Sequence, residues 1–121
     1  MGLIGNFLGQ RGERLAEKFL RRKGYRTVAR NFRTREGELD LVCRDGDCLV
    51  FVEVKTRTTG GLGFPEDAVT ADKQRKLISA VNAYLARLRQ PPASFRIDVV
   101  SIITAAQRQP QIIHLENITG S

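Results

Sequence analysis

The chain has 121 residues, which is the size of one ordinary domain, and its 41% of hydrophobic residues can form one core. The longest run of aliphatic and aromatic residues, Leu49–Val52, is far shorter than the ~20 residues that a membrane-spanning helix needs. Lysine and arginine number 20 against 13 acidic residues, which gives a net charge of +7. No secretory signal segment follows the N-terminus, so we expect a cytoplasmic protein without a membrane partner.

The positive charge is concentrated in the first third of the chain. Ten basic residues and two acids lie between Arg11 and Arg35, so this segment carries +8 and the remainder is close to neutral. A local field of this kind favours a polyanion such as nucleic acid. A solvated helix face in a basic protein would have the same composition, and it remains the alternative interpretation.

Cysteine and histidine are too scarce for two common kinds of site. The chain has only Cys43, Cys48 and His114, which cannot form a zinc site of the usual Cys/His kind. A disulfide framework is not expected in a cytoplasmic chain. We therefore expect the cysteines to pack as small apolar residues and His114 to be structural or exposed.

The hydrophobic pattern predicts seven elements in the order α-β-β-β-α-β-β. A first helix is expected over residues 11–23, ending at Gly24, and the glycines within residues 1–9 predict a frayed start. Strands are expected at 25–31, 38–44, 48–55, 95–103 and 111–115, with a long helix capped by Thr70 and running to about residue 89. This pattern predicts an α/β (α+β) fold, in which helices pack against a small mixed sheet within a single domain over residues 1–121.

The second and third strands carry charged residues, although Asp and Glu are depleted in strands. Glu38 and Asp40 interrupt the second strand, and Glu53 and Lys55 lie in the third. A turn within residues 45–47 predicts that the two strands form a hairpin. If residues 45 and 46 form the turn, Glu38 lies opposite Glu53, whereas a turn at 46 and 47 places Asp40 opposite Glu53. All four side chains share one face in either register, because side chains alternate with a period of two.

Carboxylates this close together persist either with a raised pKa or with a cation between them. Carboxylate oxygens, completed by waters and a substrate phosphate, suit Mg²⁺ or Mn²⁺. Lys55 would add a positive charge that orients or deprotonates an attacking water, or stabilises developing charge on the phosphate. Beside a strongly basic segment, these residues predict metal-assisted phosphodiester hydrolysis. The alternative is a solvated hairpin face in which Glu53 and Lys55 form a weak surface pair.

Several segments together resemble one bacterial family. Asp40, followed after twelve residues by Glu53-Val54-Lys55, resembles the signature of the PD-(D/E)xK nuclease superfamily, with Leu39 in place of the proline. The wider pattern resembles the YraN-type proteins, an uncharacterised family with a restriction-endonuclease-like fold similar to that of Holliday junction resolvases. The segments that carry this resemblance are Gly9-x-x-Gly12-Glu13-x-x-Ala16, Gly24-Tyr25, Asn31-Phe32-Arg33, 37–42, 50–57 and 96–100, together with Lys73, Ala80 and Tyr84.

The resemblance implies a role for each residue of the motif. Asp40 and Glu53 would be metal ligands, with the Val54 carbonyl as a third. Lys55 would be the catalytic lysine, and Glu13 would complete the site directly or through a water. The implied activity is that of a Mg²⁺- or Mn²⁺-dependent endonuclease acting on DNA, including branched or damaged forms, with RNA as an alternative. A resolvase-like task would favour a homodimer.

Phosphate contacts are expected from basic residues, because counterion release gives affinity without reading the base sequence. The residues expected to make these contacts are Arg11, Arg14, Arg30, Arg33, Arg35, Arg57 and Lys73. Two other classes of function fit the same composition. One is a nucleic-acid-binding module that keeps the nuclease fold with little or no catalytic activity, and the other is a protein-interaction domain whose basic face meets an acidic partner.

Overall fold

A computed structural model of the chain describes residues 2–58, 70–105 and 108–118. Its helices and strands are α1 Gly2–Arg22, β1 Arg26–Arg33, β2 Glu38–Asp45, β3 Cys48–Thr58, α2 Ala71–Ala86, β4 Ser94–Thr104 and β5 Gln111–Leu115. This order confirms the predicted α+β, restriction-endonuclease-like layout. Helix α1 begins at Gly2 rather than at residue 11, and the fraying of residues 1–9 stays a prediction. No helix among the described residues is long and apolar enough to cross a membrane.

The strands form one mixed sheet in the order β1-β2-β3-β4-β5. Neighbouring strands are antiparallel except for β3 and β4, which run parallel and are connected through α2, as a parallel pair requires. In the β2–β3 hairpin Asp45 pairs with Cys48, so residues 46 and 47 form the turn. Gly46 has a φ of 61°, which glycine adopts readily. The structure therefore selects the register in which Asp40 falls opposite Glu53.

One helix covers each face of this sheet. Side chains of β3 alternate between two clusters, with Val50 and Val52 in the first and Leu49 and Phe51 in the second. Ala16 and Leu20 bring α1 into the first cluster, which we call the α1-side core. Leu77, Ala80 and Val81 bring α2 into the second, the α2-side core. Because adjacent residues of a strand point to opposite faces, the two helices lie on opposite sides of the sheet.

Two glycines allow the helices to approach the strands closely beside the charged hairpin. A Cβ atom added to Gly12 would collide with the Oγ1 atom of Thr56, so the α1 backbone lies directly against β3. A Cβ atom added to Gly37 would lie 2.5 Å from the carbonyl oxygen of Lys76, so the turn before β2 touches the backbone of α2. These contacts position α1 and α2 relative to the end of the hairpin that carries its acidic residues.

Candidate active site

Asp40 lies where β2 and β3 separate. The backbone pairing between these strands extends from the turn to Leu41 and Val52. Beyond that pair, the Val54 N–H donates a hydrogen bond to Oδ2 of Asp40 at 2.8 Å. The carboxylate thus replaces the backbone carbonyl that continued pairing would have supplied. The N–H and C=O of a strand residue point to the same neighbouring strand, so the Val54 carbonyl also faces this gap.

The regular alternation of side chains along β2 breaks at Asp40. Leu39 belongs to the α2-side core and Leu41 to the α1-side core, although residues two apart in a strand normally share a face. On β1, Asn31 lies between the residues that pair with Leu39 and Leu41, and its φ is 52°. Asparagine tolerates this left-handed conformation better than most residues. This irregularity places Asp40, which is 7% exposed, with its carboxylate at the gap between β2 and β3.

Glu53 and Lys55 extend from β3 toward α2. The Nζ atom of Lys55 lies 3.2 Å from Oε1 of Glu53, and the two side chains are 23% and 19% exposed. They line a cavity of about 180 Å³ together with Glu38 and the α2 residues Lys73 and Lys76. The alternative interpretation, in which Glu53 and Lys55 form a weak pair on a solvated face, does not agree with the structure, because most of each side chain is buried.

Glu13 approaches the same region from α1 and is half-buried. Burial raises its pKa, and the charges of Glu38 and Glu53 add to that effect. Within residues 2–58, 70–105 and 108–118, no three acidic, cysteine or histidine side chains come together closely enough to hold a metal ion among themselves. Glu13 is thus an electrostatic neighbour of the hairpin acids without forming a three-carboxylate cluster with them.

The acids of this region repel one another. Burial, with the charge of Glu53 as the next cause, raises the pKa of Asp40 from 3.8 to about 7, despite the opposing hydrogen bond from Val54. Burial also raises the pKa of Glu53, although Lys55 acts in the opposite direction. The protein therefore leaves negative charge here incompletely balanced, which is a common property of functional sites.

Lys55 and Lys73 form a close pair of amines in the cavity. Burial acts to lower the pKa of Lys55, but the neighbouring Lys73 amine and the charge of Glu53 outweigh burial and leave the pKa raised. The close approach of Lys55 and its positive charge lower the pKa of Lys73. Lys55 is thus the amine that keeps its proton, and Lys73 is the one that loses it more readily.

The oxygen atoms at this gap fit a hard divalent cation. Asp40 and Glu53 supply carboxylates, and strand geometry directs the Val54 carbonyl to the same side as the N–H that donates to Asp40. Mg²⁺ is usually bound by one or two carboxylates, with waters and substrate phosphates completing its octahedral shell. The raised pKa of Asp40 identifies a carboxylate whose charge the protein itself does not compensate. Two carboxylates and a carbonyl therefore suit the ion without a third acidic ligand.

The basic residues predicted to contact phosphates differ in how they are engaged. Arg30 binds Glu17 through two hydrogen bonds of 2.9 and 2.6 Å, so its charge is already compensated. The Nε atom of Arg33 lies 3.3 Å from Oε2 of Glu38, at the exposed edge of the β2–β3 hairpin. The other predicted residues differ in exposure: Arg11, Arg14, Arg35 and Lys73 are exposed, and Arg57 is half-buried. Arg30 is consequently the least suited of the set to meet a phosphate.

A second buried network lies on the α1 side of the sheet. Asp98 is fully buried and accepts hydrogen bonds from Nε2 of His114 at 2.8 Å, from the Asn117 N–H at 2.9 Å and from Nε of Arg96 at 3.1 Å. His114 also contacts the Nζ atom of Lys23 at 2.9 Å. The network joins the end of α1 to β4 and β5, which confirms the structural interpretation of His114.

The cysteines also behave as predicted. Both are free thiols, with Cys43 buried in the α1-side core and Cys48 packed at its margin. Lys76, Leu77 and Gly37 also line the cavity and were not predicted as site residues. The helical spacing of Lys73, Lys76 and Leu77 could have indicated Lys76, because these residues lie on one side of α2. Gly37 belongs to the segment 37–42 that carries the family resemblance, but no local pattern indicated its contact with Lys76, which is distant in the sequence.

Comparisons with known proteins give the family but no activity. The model of the uncharacterised protein family UPF0102 matches residues 12–102. A UPF0102 protein of Geobacter metallireducens is 50% identical over 117 residues, which cover 97% of this chain and 95% of the relative. A UPF0102 protein of Symbiobacterium thermophilum is 52% identical over 95 residues, covering 78% of this chain and 80% of the relative. These matches confirm the resemblance to the YraN-type proteins, and the chain belongs to the uncharacterised protein family UPF0102.

Proposed function

We propose that this protein is a Mg²⁺- or Mn²⁺-dependent endonuclease that hydrolyses phosphodiester bonds in DNA. The observation that carries the proposal is the convergence of a buried Asp40 carboxylate with the Glu53–Lys55 pair at the gap between β2 and β3. Hydrolysis of a phosphodiester needs a divalent cation, a positioned water and a positive charge near the phosphate. The first and third of these requirements match the chemistry of the residues at this gap.

Each residue of the gap has a distinct part in the proposed reaction. Asp40, Glu53 and the Val54 carbonyl would hold the cation, and Glu13 would support it directly or through a water. A divalent cation bound there supplies Lewis acidity and a lowered pKa for a bound water. Lys55, whose pKa is raised, stays protonated and stabilises negative charge on the phosphate. Lys73, whose pKa is lowered, is the better placed of the two amines to accept a proton.

The proposed substrate is bound through its backbone. Arg11, Arg14 and Arg35 are exposed cations on the basic first third of the chain and contact phosphates without reading bases. Branched or damaged DNA is the form we favour, with RNA as the alternative that a substrate panel distinguishes. A homodimer would suit a junction, because a four-way junction offers two symmetric cleavage points, but this rests on analogy of fold.

A second candidate function is a nucleic-acid-binding module without catalysis. It is favoured by one observation, namely that the exposed cations Arg11, Arg14 and Arg35 could bind phosphates whether or not a metal ion is bound. The two candidates differ in their dependence on metal. Binding by a module would be the same in EDTA and in Mg²⁺, whereas an endonuclease would cut only with the ion present.

The test is cleavage of duplex, flap and four-way-junction DNA with Mg²⁺, Mn²⁺ or EDTA, by the native chain and by Glu53→Gln and Asp40→Asn. Removing one ligand should reduce cleavage at least about a hundredfold, since the loss of even a supporting residue around a metal costs 10–100-fold. DNA affinity should stay the same or rise, because a repelling anion is gone. Asp47→Asn is the matched control, because Asp47 is an exposed acid at the opposite end of the same hairpin. Cleavage that persists in EDTA, or native protein that cuts none of the substrates, would reject the endonuclease.

A further inference from the structure

The hydroxyl of Ser101 stands out among the buried polar groups. Among the residues that the structure describes, it is the one buried side-chain oxygen or nitrogen without a hydrogen-bond partner. Ser101 is 1% exposed, whereas the other buried polar residues, Asp40 and Asp98, are both hydrogen-bonded. An unpaired buried hydroxyl is costly and uncommon in native proteins, so its retention calls for a physical reason.

Ser101 lies beside the lysine of the candidate active site. In the parallel pairing of β3 with β4, Ser101 is the register partner of Lys55. Phe51 and Ile97 are partners in the same register and both belong to the α2-side core, so Lys55 and Ser101 also share the α2 face. Neighbouring strands lie about 4.8 Å apart, which brings the hydroxyl within reach of a rearranged lysine side chain.

In the structure, the Nζ atom of Lys55 lies 3.2 Å from Oε1 of Glu53. Glu53 is also one of the two acids that the proposed function assigns to the cation. A carboxylate that binds a divalent ion becomes a poorer partner for an ammonium group, and Lys55 is only 23% exposed, so water replaces the lost contact incompletely. Lys55 then keeps only the neighbouring amine of Lys73, so a hydroxyl oxygen close by is a useful further acceptor.

We propose that Ser101 is a positioning residue that accepts a hydrogen bond from the Lys55 ammonium group once Glu53 is engaged elsewhere. This inference rests on the proposed function, because it gives Lys55 two positions that alternate with the use of Glu53. A neutral hydroxyl holds the ammonium group without adding negative charge where a phosphodiester must bind. The hydroxyl is unpaired in the resting protein because its partner arrives only when Lys55 leaves Glu53.

The first test uses metal-free protein and needs no activity. Ser101→Ala should raise the melting temperature of the native chain by removing an unpaired buried hydroxyl. In a Glu53→Ala background, where Lys55 has lost its carboxylate, the same substitution should lower the melting temperature, because it now removes a hydrogen bond. Shifts of the same sign and size in both backgrounds would overturn the inference.

The second test measures cleavage and the position of Lys55. Ser101→Ala should reduce kcat about tenfold or more, as expected for a lost hydrogen bond to a charged group, with an unchanged KM for DNA. Ser101→Thr, which keeps a hydroxyl, should restore part of kcat. The matched control is Thr104→Val, which removes another β4 hydroxyl, one that donates to the Arg57 carbonyl at 3.2 Å. An equal loss of kcat in the control would identify a structural effect and overturn the inference.

A crystal structure with Ca²⁺ separates the failure of this inference from the failure of the proposed function. Lys55 within hydrogen-bond distance of Ser101 supports the inference, even if the native chain cuts no DNA and the endonuclease proposal fails. Lys55 still bound to Glu53 in a protein that cuts DNA overturns the inference and leaves the endonuclease proposal intact.

Discussion

Two aspartates of the same sheet are buried to a similar extent but differ in the groups that surround their carboxylates. Asp40 on β2 and Asp98 on β4 are 7% and 0% exposed, and both lie among apolar side chains of the same sheet. Asp98 receives three hydrogen bonds, from His114, Asn117 and Arg96. These bonds outweigh burial and leave the pKa of Asp98 below its usual value.

Asp40 has the opposite balance. It receives a hydrogen bond from the Val54 N–H, and its charged neighbours include Glu53, Glu13 and Glu38. Burial and these neighbours raise its pKa to about 7. The difference teaches that burial alone does not decide the role of a carboxylate. A buried anion surrounded by donors stabilises the fold, whereas one surrounded by other anions is suited to a ligand that brings positive charge.

The largest change in unfolding free energy should come from neutralising Asp98, whose charge is balanced by hydrogen-bond donors. Asp98→Asn removes the anion that holds Arg96 and His114, and breaking a buried ion pair by removing one partner costs about 3–5 kcal/mol of unfolding free energy. Chemical denaturation measures this loss. Asp72→Asn is the control, since its ion pairs with Arg75 and Lys76 are exposed and should add little to the unfolding free energy. A small loss at Asp98 would mean that its hydrogen bonds do not provide net stability.

The same substitution at the uncompensated aspartate should have the opposite sign. The pKa of Asp40 is higher in the folded protein than in the unfolded chain, so its ionisation opposes folding and stability falls as pH rises from about 4 to about 7. Asp40→Asn should therefore stabilise the metal-free protein by about 1–3 kcal/mol at pH 8 and by little at pH 4. Denaturation of both proteins across this pH range tests the difference, and Asp40→Asn that destabilises at pH 8 would contradict it.

A divalent cation should reduce the contrast between the two aspartates. Mn²⁺ at tenfold its dissociation constant would add about 1.4 kcal/mol to the unfolding free energy at pH 8. The gain should be smaller at pH 5.5, because protons compete for Asp40 and Glu53. Melting curves with Mn²⁺ and with EDTA measure the gain, and Asp40→Asn should abolish most of it. An equal gain in the variant would place the cation elsewhere.

The smallest effect should come from the rim of the acidic hairpin. The charge of Glu38 is among the causes that raise the pKa of Asp40, but the Glu38 side chain is 57% exposed, so solvent screens it. Glu38→Gln should lower the pKa of Asp40 by a fraction of a unit, which an NMR titration of the Asp40 carboxyl would detect. Glu36→Gln is the matched control, because Glu36 is exposed and lies two residues away in the turn. An unchanged pKa in Glu38→Gln would exclude Glu38 from the electrostatics of the site.

Local signals in the sequence predicted most of the fold. The strand at 111–115 and the Thr70 cap of α2 appear as expected, because alternation and capping depend on residues that are close in the chain. The placement of Asp40, Glu53 and Lys55 at one site was also predictable, since both possible registers of the hairpin put these side chains on one face. The α1 boundary was wrong because glycines in a helix are only mildly unfavourable, so propensity did not determine where the helix begins.

The sequence by itself determined the order of the elements and the set of acids on the hairpin together with Lys55, because both follow from short-range patterns. Only the tertiary structure decided which register the hairpin adopts and that the strands part at Asp40, with Val54 bonded to its carboxylate. The tertiary structure also decided that Arg30 is neutralised by Glu17, that Lys73 meets Lys55 and that Asp98 is surrounded by donors. These outcomes depend on contacts between residues that are far apart in the chain, and the charge of a buried group is set by what packs around it.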